Sequence, residues 1–160
     1  MICVVDTNVP VVANGKSKQA SPQCVIFCTQ RLLVLTNSGK LVLDDQWRII
    51  KEYLKNLRSE GQPGVGDAFL KWVLTNMSNP NRCELVSITP INSNGTNFKE
   101  FPSDFRLRNF DPSDRKFIAV AFAHSQHPPI LQAVDSKWWK IRDILLEHDI
   151  IVEFLCPADI

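Results

Sequence analysis

The sequence predicts an α/β fold with three layers, in which helices cover both faces of a central, mostly parallel sheet. The first observation is that short apolar runs alternate with segments of helical periodicity along most of the chain. The second is that 160 residues with 44% hydrophobic content suffice for one core. Because no internal repeat or low-complexity tract interrupts this pattern, we expect a single domain over residues 1–160.

Two of the predicted strands end in a carboxylate. The first apolar run, residues 1–5, is followed by Asp6, Thr7, Asn8 and a predicted turn at Val9-Pro10. A later run, 130–134, is followed by Asp135. The carboxyl edge of an open α/β sheet is where such folds build their sites, so we expect these acids near a site. The other strands are predicted over 40–43, 83–88 and 150–155.

Helices in the first half of the chain are predicted from capping residues and helical periodicity. Ser21 and Pro22 begin a helix that ends near 37–39. Asp44 or Asp45 caps the next, which carries Glu52 and ends at 59–61. A glycine-rich loop follows over 61–66, and Asp67 is predicted to cap a third helix, closed by 79–81.

The second half contains the longest predicted loop, 92–109, which we expect as a flap beside the site or an excursion at the sheet edge. A helix then begins with Asp111 as N-cap and ends at His124, with Asp114 at the capping-box position. A last helix is predicted over 136–148.

The sequence predicts a cytoplasmic protein. No apolar stretch approaches membrane-spanning length, and the N-terminus lacks the features of a signal peptide. The net charge of +1 provides no global electrostatic attraction to nucleic acid. An odd number of cysteines in apolar surroundings predicts buried thiols without disulfides. These cysteines are Cys3, Cys24, Cys28, Cys83 and Cys156.

Four short segments, each containing one acidic residue, follow one another along the chain. They are Val4-Val5-Asp6-Thr7-Asn8, Glu52-Tyr53, the helical segment 114–121 (DRKFIAVA) and the strand segment 130–135 (ILQAVD). Together they resemble the PIN-domain family of metal-dependent ribonucleases across nearly the whole chain. The resemblance implies a PIN-like fold, an RNA substrate, and products that carry a 5′-phosphate and a 3′-hydroxyl.

The resemblance assigns the catalytic and metal-binding roles to Asp6, Glu52, Asp114 and Asp135. Gathered without a cation, these carboxylates would repel one another, so they imply Mg²⁺ or Mn²⁺. The metal would activate a water molecule for attack on the phosphodiester.

Neighbouring polar residues are assigned supporting roles. Asn8 and Ser136 are suited to hydrogen bonds that orient the carboxylates, and Lys137 and Arg115 to contacts with substrate phosphates. Two positions depart from the family. Lys137 replaces a second acid and Ala133 a hydroxyl residue, which leaves open a weak, single-metal or inactive site. The alternative function is therefore a non-catalytic module that binds RNA or a protein.

Each acid also has a structural explanation. Asp6 could cap a turn, while Asp114 and Asp135 could cap helices. Glu52 could pair with Lys51 or Lys55 on its own helix, in which case Asp44 or Asp45 would supply the fourth ligand.

Further alternatives carry less weight. A zinc site would need Cys24 and Cys28 to meet His124 and His127, at spacings not typical of structural zinc. A phosphatase of the haloacid-dehalogenase type would need an aspartate where Asn8 stands. A small antitoxin-like protein partner and a homodimer follow only from the resemblance.

Overall fold

The computed structural model describes residues 1–61 and 63–160, in which helices and strands alternate. The strands are β1 (Ile2–Val5), β2 (Lys40–Asp44), β3 (Cys83–Val86), β4 (Ile130–Gln132) and β5 (Val152–Phe154). The helices are α1 (Asn8–Ala13), α2 (Pro22–Ser38), α3 (Arg48–Asn56), α4 (Val65–Asn76), α5 (Arg115–Ala123) and α6 (Ser136–Glu147). Short 3-10 turns cover Phe105–Leu107 and Pro157–Asp159.

The five strands form one sheet in the order β3-β2-β1-β4-β5, and every neighbouring pair is parallel. From β1 the chain adds β2 and β3 on one side, and it then crosses over to add β4 and β5 on the other. This reversal makes the gap between the carboxyl ends of β1 and β4 the topological switch point. Open α/β sheets bind their ligands there.

The helices form the two outer layers of a three-layer α/β/α fold. On one side α1, α2 and α4 pack against one another, and on the other α3 packs against α5, which lies on β1, β2 and β4. The predicted fold class is confirmed. No helix within 1–61 or 63–160 combines the length and apolar character needed to cross a bilayer.

The central strands β1 and β2 are apolar in their inner positions because both faces of the sheet are covered. The inner residues of β1 and β2, Cys3 to Val5 and Leu41 to Leu43, are completely buried, as expected for parallel strands covered on both faces. Helix α5 is buried from Phe117 to Ala121 and is the central helix of its layer. Its position fixes where the acids at its N-terminus lie.

Several predicted boundaries are wrong. Val9 and Pro10 lie within helix α1 rather than in a turn, because proline is tolerated in a first helical turn. Helix α3 ends at Asn56, before the predicted 59–61. The predicted loop over 61–66 includes Gln62, which lies outside the described residues, and α4 already begins at Val65 with Gly64 as N-cap.

Asp67 is likewise not the N-cap of α4 but its third residue. Its carboxylate accepts from the backbone amides of Gly64 (3.0 Å) and Arg58 (2.8 Å) and from Asn14 Nδ2 (2.9 Å). Asp67 therefore caps a backbone amide at the start of α4 although it lies within the helix. Its bond to Asn14 connects α4 to the end of α1.

The C-terminus is fastened to the start of α2 by a group of residues that we call the C-terminal clasp: Ser21, Cys24, Cys28, Cys156 and Asp159. Ser21 donates its amide hydrogen to Asp159 Oδ2 (2.7 Å), and its Oγ accepts from the amide of Cys24 (3.2 Å). Cys24 and Cys156 form a disulfide.

The prediction that the protein contains no disulfide is therefore wrong for Cys24 and Cys156. Spacing along the chain gave no sign of the pair, because its members are 132 residues apart and meet only when β5 completes the sheet edge. The prediction is confirmed for Cys3, Cys28 and Cys83, which are free and buried. Cys28 Sγ lies 4.0 Å from Cys156 Sγ.

Candidate functional site

The switch point brings two of the predicted acids to one edge of the sheet. Asp6 directly follows β1, and its amide donates to the carbonyl of Leu131 in β4 (3.0 Å). Asp135 follows β4 after a turn of two residues and caps helix α6, accepting from the amide of Lys137 (2.8 Å). Asp135 therefore caps α6 and also lies at the carboxyl edge of the sheet. Its capping role does not exclude it as a site residue.

Glu52 reaches the same edge because α3 is anchored to the end of β1. The neighbouring Tyr53 is completely buried and donates its hydroxyl to the carbonyl of Val5 (2.6 Å). Thr7 Oγ1 then donates to Glu52 Oε1 (2.7 Å). This bond links the acid of α3 to the residue that follows Asp6.

Asp114 lies at the start of α5, but the predicted capping arrangement there is wrong. The helix begins at Arg115 with Asp114 as N-cap, and within the described chain the Asp114 side chain makes no capping hydrogen bond. Asp111 lies outside the helix, where it accepts from the amide and hydroxyl of Ser113 (3.0 and 2.8 Å). The turn over 111–114 thus leaves the Asp114 carboxylate unused by the backbone.

The carboxylates influence one another electrostatically. Asp6 is only 5% exposed. Burial and the charges of Asp114 and Glu52 raise its pKa to about 8, against a weaker opposing effect of the Asn8 amide. Burial and the charges of Asp111, Glu52 and Asp135 raise the pKa of Asp114 to about 6. These acids therefore share one region of negative potential, which we call the acid pocket: Asp6, Glu52, Asp111, Asp114 and Asp135.

Two lysines compensate part of this charge. Lys116 Nζ forms an ion pair with Glu52 Oε2, so the expected partners Lys51 and Lys55 are replaced by a lysine from α5. Lys137 Nζ lies 2.8 Å from Asp111 Oδ2, which lowers the pKa of Asp111 to about 2. Asp6, Asp114 and Asp135 form no ion pair within the described residues.

Asn8 has the supporting position that was predicted for it. Its amide donates to Asp6 Oδ1 (2.8 Å), and its Oδ1 accepts from the amide of Val134 (3.0 Å). The residue thereby connects the acid after β1 to the turn after β4. Ser136 is exposed at the first position of α6, and its supporting role stays a prediction.

Gln132 is a site residue that the sequence analysis missed. It is completely buried in β4, and its Oε1 accepts from the amide of Ala133 (2.8 Å). Nε2 lies near enough to Asp6 to lower the pKa of that carboxyl, yet it makes no hydrogen bond of normal geometry within the described residues. The available signal was a lone amide in an otherwise apolar strand, since such groups normally need a partner.

The alternatives for the fourth acid have other partners. Asp44 accepts from the amides of Arg48 (3.0 Å) and Ile49 (2.9 Å), the first two of α3, although Trp47 and not Asp44 is the N-cap of that helix. Asp45 accepts from Ser87 Oγ. Of these three acids only Glu52 belongs to the acid pocket, where it faces Thr7 and Lys116, and its role as the fourth metal ligand stays a prediction.

The two residues predicted to contact phosphate, Lys137 and Arg115, differ in how far their cationic groups are already bonded within the protein. Lys137 is on the exposed side of its ion pair with Asp111 and can exchange that partner for a phosphate. Arg115 donates from Nε and Nη2 to the carbonyl of Phe110 (3.2 and 3.1 Å) and from Nη2 to that of Arg108 (2.9 Å). Its phosphate role stays a prediction that rests on Nη1 alone.

The chemistry of the donor set, but not its spacing, matches a hard divalent cation. The pocket offers only oxygen ligands, which Mg²⁺ and Mn²⁺ prefer. Among the described residues, the one group of three Cys, His, Asp or Glu donors all within 4.8 Å of one another is Cys24, Cys28 and Cys156. No three pocket carboxylates meet this limit, so a cation bound directly by three of them would need these side chains to move closer together.

The zinc alternative does not assemble as the sequence suggested. The sulfurs of Cys24 and Cys28 lie beside that of Cys156, and no histidine belongs to this group in the described part of the chain. His124 Nε2 instead pairs with Glu84 of β3 (2.8 Å).

Comparison of the chain with protein-family models, curated proteins and solved structures gives no match. The resemblance to PIN-domain ribonucleases therefore stays a prediction from the sequence, and the functional argument rests on the acid pocket.

Proposed function

We propose that the protein is an endoribonuclease that depends on Mg²⁺ or Mn²⁺. The observation that carries this proposal is the acid pocket at the switch point, where burial and the charges of neighbouring carboxylates raise the pKa of Asp6 and Asp114. Without a ligand the fold reduces this repulsion by binding protons, and a divalent cation would take their place.

Asp6, Asp114 and Asp135 would hold the cation, because they are the pocket acids without a lysine partner among the described residues. Glu52 is oriented by Thr7 and would bind the ion through water or accept a proton from an attacking water. When bound, the cation supplies a water of lowered pKa and neutralises charge on the phosphodiester. Lys137 would contact a phosphate oxygen in place of Asp111.

Cleavage of a fluorescent single-stranded RNA in Mn²⁺ tests the proposal. Asp6→Asn and Asp114→Asn keep the side-chain volume and remove the charge, so we expect each to reduce the rate by about 100-fold or more, several kcal/mol of barrier. Asp143→Asn is the matched control, since that carboxylate of α6 is highly exposed and pairs only with Arg142 among the described residues. Equal cleavage by the Asp6 and Asp143 variants would remove the proposal.

A second candidate is a module of the same fold that binds RNA or a protein without cleaving it. The observation that favours it is the pairing of Lys116 with Glu52, which places an ammonium group where a second cation would otherwise lie. Calorimetric titration with Mn²⁺ separates the two. A nuclease takes up at least one ion per chain and Asp6→Asn takes up none, whereas a binding module shows no uptake.

The cytoplasmic location, which was predicted from the composition and the N-terminus, belongs to the proposal. So do the antitoxin-like partner and the homodimer, which follow from the family resemblance. The clasp disulfide bears on the cytoplasmic location, because a reducing compartment disfavours such bonds. Thiol labelling of the protein isolated from cells would show whether Cys24 and Cys156 are oxidised there.

A further inference from the structure

A cleft lies between the long segment 91–104 and the start of α5. It has a volume of about 510 Å³, a size that accommodates a nucleotide. Arg115, which directly follows Asp114, is part of its lining. The cleft therefore adjoins the start of the helix whose N-cap is Asp114.

The charge of the cleft is positive. Lys99, Arg108 and Arg115 contribute cationic groups to the lining, and Asp104 is its only acid among the described lining residues. Asp104 is already neutralised, because Arg106 Nη2 lies 2.8 Å and His148 Nε2 2.9 Å from its Oδ2. The cleft thus offers cations without a competing free carboxylate.

One lining residue of the cleft, Arg108, lies against an exposed aromatic ring. Phe105 is 73% exposed, which is unusual for a large apolar side chain. The guanidinium of Arg108 lies 3.5 Å from the centre of this ring and is fixed by a bond from its Nη1 to the Phe105 carbonyl (3.0 Å). The pair presents a planar, cationic surface of the kind on which unstacked bases bind.

We propose that this cleft holds a nucleotide of single-stranded RNA, with its base stacked on Phe105 and Arg108 and its phosphate facing Lys99 and Arg115. The inference rests on the proposed function, to which it adds the element that selects unpaired RNA. Bases in a duplex are already stacked, so they cannot occupy the Phe105 surface.

Binding of a fluorescent 12-nucleotide single-stranded RNA to the full chain in EDTA, measured by anisotropy, tests the inference apart from cleavage. Stacking contributes about 1–3 kcal/mol per base, so we expect Phe105→Ala to raise Kd by about fivefold or more. Arg108→Gln should weaken binding to a similar extent. Phe105→Trp should retain affinity, and Leu33→Ala, which removes an exposed side chain of α2, is the matched control.

The outcomes separate the two proposals. Unchanged affinity in both Phe105→Ala and Arg108→Gln, or no binding by the unsubstituted chain, would overturn the cleft. An equal loss of affinity for duplex RNA in Phe105→Ala would also overturn it. Asp6→Asn should bind the strand normally in EDTA while failing to cleave it in Mn²⁺. If the unsubstituted protein does not cleave RNA but its RNA binding depends on Phe105, the nuclease proposal is wrong and the proposal of a nucleotide-binding cleft is supported.

Discussion

The acid pocket and the C-terminal clasp both join distant parts of the chain, but they do so with opposite energetics. In the clasp, each polar group has a partner: Ser21 bonds Asp159 and Cys24, and Cys24 bonds Cys156 covalently. In the pocket, burial and the charges of neighbouring carboxylates raise the pKa of Asp6 and Asp114.

The difference indicates a structural role for the clasp and a ligand-binding role for the pocket. The hydrogen bonds and the disulfide of the clasp hold the C-terminus against α2 without a ligand. A pocket that gathers unpaired acids lowers the stability of the ligand-free fold, and such an arrangement is typical of functional sites. Changes in the clasp should therefore alter stability in all conditions, whereas changes in the pocket should depend on pH and metal.

The largest expected effect is the loss of the clasp disulfide. The bond closes a loop with a sequence separation of 132, so replacing Cys24 and Cys156 together with alanine should lower the free energy of unfolding by about 2–5 kcal/mol. Urea unfolding of the variant and of the unsubstituted protein, each with and without reductant, measures the change.

Cys83→Ala is the control for this experiment, because Cys83 is a free buried thiol. It should lose some stability from the missing sulfur, but its response to reductant should equal that of the unsubstituted protein. A midpoint that does not move when complete reduction is verified would show that the disulfide contributes nothing to stability.

The sequence predicted the parallel sheet because apolar runs and capping residues are local signals. Ser21 and Asp135 cap helices as expected, since a cap depends on a few adjacent residues. Asp111 and Asp67 were assigned wrongly, because both bond to backbone groups near a helix start and either position is compatible with the pattern.

The site was predictable only in part, because local sequence patterns show strand ends but not contacts between distant residues. Asp6 and Asp135 could be placed at one edge because strand ends are visible in sequence. The ion pair of Lys116 with Glu52 and the disulfide of Cys24 with Cys156 join residues far apart in the chain, and no local pattern encodes them. The buried Gln132 was visible as a polar residue but had no predictable partner.

The next effect concerns the pH dependence of stability. In the unfolded chain Asp6 ionises near its ordinary pKa of 3.8, whereas in the fold its pKa is raised to about 8. The folded state therefore binds more protons between about pH 4 and 8, and its stability should fall as pH rises through this window. Asp114, raised to about 6, adds to the fall in the lower part.

Urea unfolding in EDTA at several pH values between 5 and 8 measures this slope. Asp6→Asn cannot ionise and should flatten it, while Asp143→Asn should leave it unchanged. Mg²⁺ should restore stability most at pH 8, because the cation binds the ionised carboxylates. Parallel slopes for Asp6→Asn and the unsubstituted protein would contradict the raised pKa.

A smaller effect is expected for Lys116→Gln. Removing the ammonium group from Glu52 makes the pocket more negative, which should strengthen Mn²⁺ binding by about 1 kcal/mol, a roughly fivefold lower Kd. Calorimetry measures the affinity, with Lys55→Gln as the control because it removes an exposed lysine from the last turn of α3. Weaker Mn²⁺ binding in Lys116→Gln would mean that the lysine supports the site rather than competes with the cation.

The smallest expected effect returns to the clasp. Ser21→Ala removes the side-chain acceptor for the Cys24 amide and should cost about 1 kcal/mol of unfolding free energy. Ser38→Ala, at the other end of α2, loses only an exposed bond to the Val34 carbonyl and serves as the control. The cost should be independent of pH and Mg²⁺, since Ser21 is not in the acid pocket. A cost that changes with reductant would show that the cap and the disulfide stabilise the C-terminus as one cooperative unit, whereas a constant cost would show that they act independently.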